Sequence, residues 1–220
     1  MKLLLTSAGV KNSSIHGALV ELLGKPIAES NALCIPTANY GHGSLDQVWR
    51  FVSGHSKTPL TELGWKSLGV LELTALPSMD EEQWIPKVRE TDALLVSGGD
   101  ALYLGHWMRQ SGLADLFASL HETVYVGISG GSMVMAPNIG EDFVVWRPPA
   151  GDDRTLGVVD FSIFPHLDHP DLPENTMADA EKWAAGQPGP AYAIDDQTAI
   201  RVVDGTVDII SEGHWKLLNS

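Results

Sequence analysis

The stretch VYVGISGGSMVM, from Val124 to Met135, decides the fold of this chain. An apolar run ends at a glycine-rich turn, and a second apolar run follows directly. A continuous apolar run of this length predicts a strand buried on both faces, and the residues after the turn predict the start of a helix. The segment 127–131 reads Gly-Ile-Ser-Gly-Gly and matches G-x-S-x-G, in which a serine occupies a sharp strand-to-helix turn.

Ser129 is the candidate nucleophile in this turn. Small neighbours keep side chains out of the tight bend, so the hydroxyl can project above the edge of the sheet. The next backbone amide, on Gly130, lies at the positive end of the helix and can donate to a developing oxyanion. The alternative is a turn that only needs a small residue, but the strand–turn–helix context favours a nucleophile.

The rest of the chain extends this pattern into an α/β fold. Helix-like segments separate the apolar runs: one begins at Met79–Glu82, and another is broken at Ser111-Gly112. Strand alternating with helix predicts a parallel sheet with right-handed crossovers. Near the C-terminus, Asp204-Gly205 between two β-branched runs predicts a hairpin. The four further predicted strands are Leu3–Thr6, Leu33–Ile35, Gly69–Leu73 and Ala93–Val96.

Composition excludes several classes of partner. The 220 residues suit one domain, 1–220, and the net charge of -14 disfavours nucleic acid and anionic membranes. The single cysteine, Cys34, excludes an intrachain disulfide and fits a cytoplasmic location. The N-terminal apolar run covers only Leu3–Leu5, which predicts a strand rather than a secretory leader. No apolar run approaches the roughly 20 residues that a membrane helix needs.

A serine nucleophile needs a base, and His166 is the favoured candidate, with His169 second. Both follow the apolar run VVDFSIF, where a strand ends and a loop begins, and sites in α/β sheets collect at such ends. With Asp168 between them, the two histidines could instead form a polar loop or an adventitious metal site, although the spacing is a weak zinc signature. Structural or solvent-facing roles are favoured for the other histidines: His16, His42, His55, His106, His121 and His214.

The candidate acids are Asp195 and Asp196, which follow a short apolar strand. Adjacent residues in an extended chain point to opposite faces, so only one of them can serve the histidine. The alternative is an ordinary acidic turn before the hairpin. A second glycine turn follows another strand at Ser97-Gly98-Gly99, where an exposed amide could complete the oxyanion hole. No phosphate-binding glycine motif is present.

Six stretches together resemble the peptidase E family of serine peptidases, the alpha-aspartyl dipeptidases, to which the cyanophycinases are related. In chain order, the stretches are LLLTS, CIPTA, ALLVSGGDALYL, VGISGGSM, IFPHLD and AIDDQTAI. The resemblance implies a three-layer α/β sandwich with a mostly parallel central sheet, like class I glutamine amidotransferases with serine in place of cysteine. It implies Ser129 as nucleophile, His166 as base, the amides of Gly99 and Gly130 as oxyanion hole, and Asp196 as acid. No metal or organic cofactor is implied.

The chain departs from that family in three ways. Glutamate is usual at the position of Asp196, which leaves Asp195 as an alternative acid, and alanine is usual at the position of Gly130. The family's segment after the histidine carries arginines, whereas this chain has only Lys182 there, so Arg147 or Arg154 could instead bind an acidic substrate. We expect a serine peptidase acting on short peptides, with dipeptides that carry N-terminal Asp as the leading substrate class. The alternatives are a cyanophycinase-like or other isopeptide hydrolase and a non-catalytic small-molecule binding protein.

Overall fold

The computed structural model describes residues 1–149 and 151–219, and its centre is a seven-stranded sheet. The strands of this sheet are β1 (Lys2–Thr6), β2 (Asn31–Ile35), β3 (Ser67–Val70), β4 (Ala93–Val96), β5 (Val124–Ile128), β8 (Thr198–Val203) and β9 (Thr206–Ser211). Their spatial order is β3-β2-β4-β5-β1-β8-β9. The strands from β3 to β1 run parallel, whereas β8 pairs antiparallel with β1 and β9 antiparallel with β8.

Helices cover both faces of the sheet and give the three layers that the family resemblance implies. One face carries α1 (Ser13–Leu23) and α3 (Leu45–Val52), and the other carries α4 (Glu81–Arg89), α5 (Ala101–Gln110), α6 (Leu113–Leu116) and α7 (Gly130–Met133). Alternate strand residues enter opposite cores: Leu4 and Leu95 pack with α1 and α3, whereas Leu5 and Leu94 pack with the helices of the other face. The short α2 (Ala38–Gly41) follows β2. Within residues 1–149 and 151–219, every helix is too short or too polar to cross a bilayer.

A second sheet of three strands lies outside the central one and was not anticipated from the sequence. It contains β6 (Ser162–Phe164), β7 (Ala191–Ile194) and β10 (Trp215–Leu218), with β7 in the middle. β6 runs parallel to β7, and β10 runs antiparallel to it. The helix α8 (Met177–Ala184) covers this sheet, because Trp183 packs against Phe164 in a small core of its own.

Most local predictions are confirmed. The helix α4 begins at Glu81 after Asp80, and Gly112 separates α5 from α6. The predicted hairpin turn has positive φ at both Asp204 and Gly205, and it extends the central sheet. The third strand is displaced from its predicted range, since β3 ends at Val70, and the buried leucines after it belong to a loop.

Candidate active site

Ser129 occupies the sharp turn between β5 and α7, with φ 47° and ψ −113°, a conformation that costs energy for a residue with a side chain. The surrounding chain holds it there. The amide of Ser129 donates to the carbonyl of Thr6 on β1 at 3.0 Å, and the hydroxyl of Ser132 donates to the same oxygen at 2.8 Å. The fully buried Tyr125 hydroxyl donates to the carbonyl of Gly131 at 2.6 Å. The geometry is that of a nucleophile elbow.

Two glycine turns meet beside Ser129, and their amides can serve as oxyanion donors. Gly130 packs so closely on Gly99 that a Cβ at position 130 would overlap the Gly99 carbonyl oxygen. This contact gives a physical reason for glycine where the resembling family has alanine. Gly99 has φ +129°, and a Cβ there would overlap the carbonyl of Ala38. Among the described residues, the amides of Gly99 and Gly130 donate to no protein group, so both remain available to a ligand.

His166 and Asp196 form a close pair, with 2.7 Å between Nδ1 of the ring and Oδ1 of the carboxylate. His166 follows β6 with φ 57°, and Asp196 follows β7, so the parallel pairing of these strands in the small sheet brings the two together. A carboxylate on Nδ1 fixes the tautomer that leaves Nε2 free to accept a proton. No hydrogen bond joins Ser129 to His166 in the described part of the chain, but both residues line one cavity.

Ser7 is a site residue that the sequence analysis missed. Its hydroxyl accepts the backbone N–H of His166 at 2.7 Å and donates to Oδ1 of Asp196 at 3.1 Å. Ser7 is fully buried at the end of β1, next to the elbow. It therefore ties the histidine and the acid to the central sheet. The only sequence signal is its place in LLLTS, directly after a strand.

Asp196 is held as a carboxylate. Burial by itself would raise the pKa of Asp196, but the hydrogen bond and charge of His166, the hydrogen bond from Ser7 and the charge of His169 together lower it. The His169 ring lies on the other side of this carboxylate, with 3.6 Å between Nε2 and Oδ2. The acid thus contacts both candidate histidines, and His166 is the closer and the one that lines the cavity.

The carboxylate of Asp195 has its own set of partners, separate from the pair of His166 and Asp196. This carboxylate accepts hydrogen bonds from the Thr198 hydroxyl at 2.6 Å, from the backbone N–H of Gln197 at 3.1 Å and from the backbone N–H of His214 at 2.8 Å. These bonds hold the turn between β7 and β8. The adjacent aspartates therefore have separate surroundings, as alternation along an extended chain predicts.

The cavity has a volume of about 610 Å³ and opens above the carboxyl ends of the parallel strands. Ser129, His166, Gly98 and Gly99 line it, together with Ser97 and Ile128. The remaining lining residues lie in or directly after α2, in α3 and in the loop after α3, and include the cations Arg50 and Lys57, the anion Asp46, and the side chains of Asn39, His42, Gln47 and Thr58. The contribution of α3 and the loop after it to the cavity was not predicted, because nothing in the local sequence of α3 indicates that it faces the turn at Ser129.

The three predicted substrate cations lie elsewhere. Arg147 contacts Glu141 at 3.3 Å, and Arg154 is paired with Asp152. Lys182 lies in the last turn of α8 and is exposed to solvent. In the described part of the chain, none of the three lines the cavity that holds Ser129.

The described residues contain no group of three or more His, Cys, Asp or Glu side chains arranged to hold a metal ion. The alternative of a metal site at His166, Asp168 and His169 therefore has no support from the geometry. His169 and Asp168 contact different partners instead: His169 lies near Asp196, and Asp168 contacts His214.

Comparison with known proteins identifies the family. Residues 3–210 match the model of Peptidase family S51. The chain belongs to this peptidase family. The match supports a hydrolase with a serine nucleophile and confirms the resemblance to peptidase E.

Individual relatives agree. An uncharacterized peptidase of Pasteurella multocida (strain Pm70), PM1590, is 28% identical over 136 residues; this match covers 58% of the chain and 63% of the relative, less than two thirds of its length. A crystal structure of a candidate peptidase E from Listeria monocytogenes EGD-e superimposes with a TM-score of 0.68 at 22% identity, covering 96% of this chain and 98% of that one. A peptidase from an acI-B1 Actinobacterium has a TM-score of 0.72 at 18% identity, with 99% and 90% covered. At these identities, the two structures show a shared fold.

Proposed function

We propose that this S51 peptidase cleaves short peptides through an acyl-enzyme on Ser129, with His166 as base, Asp196 as orienting acid, and the amides of Gly99 and Gly130 as oxyanion hole. The observation that carries the proposal is the 2.7 Å contact between His166 and Asp196 on the cavity that also contains the strained Ser129. A serine in this turn, a histidine with one free nitrogen and a buried carboxylate are the three groups that acyl transfer needs.

The reaction balances on these groups alone. Nε2 of His166 takes the hydroxyl proton as Ser129 Oγ bonds to the peptide carbonyl carbon, and the carbonyl oxygen becomes an oxyanion against the glycine amides. The C–N bond then breaks, and His166 gives its proton to the leaving amine. Water attacks the acyl-enzyme by the same route, releases the acid and restores the Ser129 hydroxyl.

For the substrate, we propose dipeptides with N-terminal Asp, bound at the side of the cavity that contains Arg50 and Lys57. An acidic ligand meets a long-range repulsion from the net charge of -14, so it needs a local cation. Arg50 is already paired with Asp46 at 2.7 Å, whereas Lys57 forms no ion pair among the described residues. Lys57 is therefore the cation that a substrate carboxylate can use without breaking an existing pair.

The test compares kcat/KM for Asp-Leu with Ala-Leu, Asn-Leu and Glu-Leu, and adds the amide of Asp-Leu and β-aspartyl-Leu. Lys57→Gln should lower the preference for the carboxylate that Lys57 binds by roughly tenfold to a hundredfold, the worth of one charge-assisted hydrogen bond. If Lys57→Gln does not impair cleavage of Asp-Leu amide, the carboxylate that Lys57 binds is the C-terminal one rather than the Asp side chain.

Lys182→Gln is the matched control, because it removes the same charge outside the cavity, and it should leave the preference unchanged. A parent enzyme that shows no preference for Asp-Leu contradicts the aspartyl assignment and leaves the serine peptidase standing. Faster cleavage of β-aspartyl-Leu would identify an isopeptide hydrolase instead.

A further inference from the structure

His214 lies between two carboxylates that belong to different loops. Its Nε2 is hydrogen-bonded to Oδ2 of Asp168 at 2.9 Å, and its Nδ1 lies 3.0 Å from Oδ2 of Asp195. Its backbone N–H donates to the same Asp195 oxygen at 2.8 Å. Among the described residues, Asp168 and Asp195 are the titratable groups that contact this ring, one from the loop after β6 and one from the turn after β7.

The two loops that His214 joins are the loops that carry the catalytic pair. Asp168 is two residues from His166, and Asp195 is next to Asp196. The first loop is strained, because His166 and Asp168 both have positive φ, at 57° and 52°. A contact that spans the two loops opposes their separation and helps to keep the 2.7 Å distance between His166 and Asp196.

We propose that His214 is a positioning residue that holds the base and the acid of this enzyme in register through Asp168 and Asp195. Only the protonated ring has an N–H for each carboxylate, since the neutral ring presents a lone pair to one of them. The bridge is therefore complete while His214 is charged and loses one attraction when it is neutral. The same arrangement accounts for the adjacent aspartates: Asp196 serves His166, and Asp195 serves His214.

The bridge predicts that its loss slows the reaction of Ser129 without weakening the binding of a probe, because the bridge acts on the spacing of His166 and Asp196. The side chain of His214 is 53% exposed, so water screens the contact and its effect on the rate is moderate.

The experiment measures labelling of Ser129 by an alkyl fluorophosphonate at one fixed pH, with the maximal rate separated from the half-saturating concentration of probe. This readout depends on the base and the nucleophile but not on the identity of the peptide substrate. His214→Gln offers a donor to one carboxylate only. We expect its maximal rate to fall about tenfold, as for a small misplacement of reacting groups, and its half-saturating concentration to stay within about twofold.

His16→Gln, at an exposed histidine on α1, is the matched control and should label like the parent. Asp168→Asn removes the carboxylate that contacts His214 on the loop after β6, and it should lower the maximal labelling rate as His214→Gln does. If His214→Gln does not fold, Asp168→Asn alone tests the bridge. Rates within twofold of the parent would overturn the bridge. Equal losses in rate and probe affinity would also overturn it, as a general structural effect. A parent that does not label at Ser129 refutes the proposed nucleophile and the bridge with it.

Discussion

The two halves of the candidate site are built in different ways. Ser129 lies in a local unit, the fully buried strand β5, a tight turn and α7, which are contiguous in sequence. His166 and Asp196 follow strands of the small sheet, which packs against the main core through Ile163 and Ile194, and the hydrogen bond from Ser7 to Asp196 joins them to the end of β1 over a long sequence separation. The position of the candidate nucleophile therefore depends on close backbone packing, whereas the alignment of the candidate base and acid beside it depends on a few hydrogen bonds.

The largest effect is expected from the nucleophile itself. Ser129→Ala should abolish hydrolysis, with a loss on the order of 10⁶ in kcat, because it removes the attacking oxygen. Its thermal unfolding should match that of the parent, since no hydrogen bond of the described residues uses the Ser129 hydroxyl. Parent-like cleavage by purified Ser129→Ala would reduce the elbow to a structural turn.

The adjacent aspartates test the half of the site that contains His166 and Asp196. Asp196→Asn should lower kcat by about 10⁴, because an amide on Nδ1 no longer fixes the tautomer of His166. Asp195→Asn should keep far more activity, since its carboxylate holds the turn and His214 instead. The measurement is kcat for both variants on the same dipeptide, and a reversed order would assign the acid to Asp195.

In the same assay, His166→Ala should lower kcat as much as Ser129→Ala does, and His169→Ala should lower it far less.

Close packing at the elbow predicts a third effect. Gly130→Ala should push the Gly99 carbonyl away, destabilise the fold by about 1–3 kcal/mol, and lower kcat by about 10²–10³ as the oxyanion donors separate. Gly17→Ala is the control, because α1 leaves open space around that glycine, and it should be neutral or stabilising. Urea denaturation measures the free energy of unfolding, and a Gly130→Ala enzyme as stable and active as Gly17→Ala would contradict the packing argument.

The smallest effect is expected where the two halves are joined. Ser7→Ala leaves the amide of His166 without an acceptor and removes one donor from Asp196. We expect kcat to fall about tenfold with KM nearly unchanged, since the groups lost act on the catalytic pair rather than on substrate. Ser30→Ala also removes a buried hydroxyl, but one bonded to Pro26 away from the cavity, and should leave kcat unchanged.

The same contrast explains how much could be predicted from the sequence. The elbow was predictable because the apolar run, the glycines and Ser129 are neighbours in the chain. Asp196 was named only through a resemblance, since the choice between it and Asp195 depends on contacts with His166 and Ser7 made across the fold. Arg50 and Lys57 were missed because no local pattern shows which exposed cations of a helix or loop face a distant turn.

The central claim, that Ser129 is a nucleophile activated by His166, is tested most directly by mapping the adduct of an alkyl fluorophosphonate by mass spectrometry. The account predicts one adduct per chain, on the peptide that contains Ser129, and its near-complete loss in His166→Ala. An adduct on another residue, or undiminished labelling of Ser129 in His166→Ala, would contradict it.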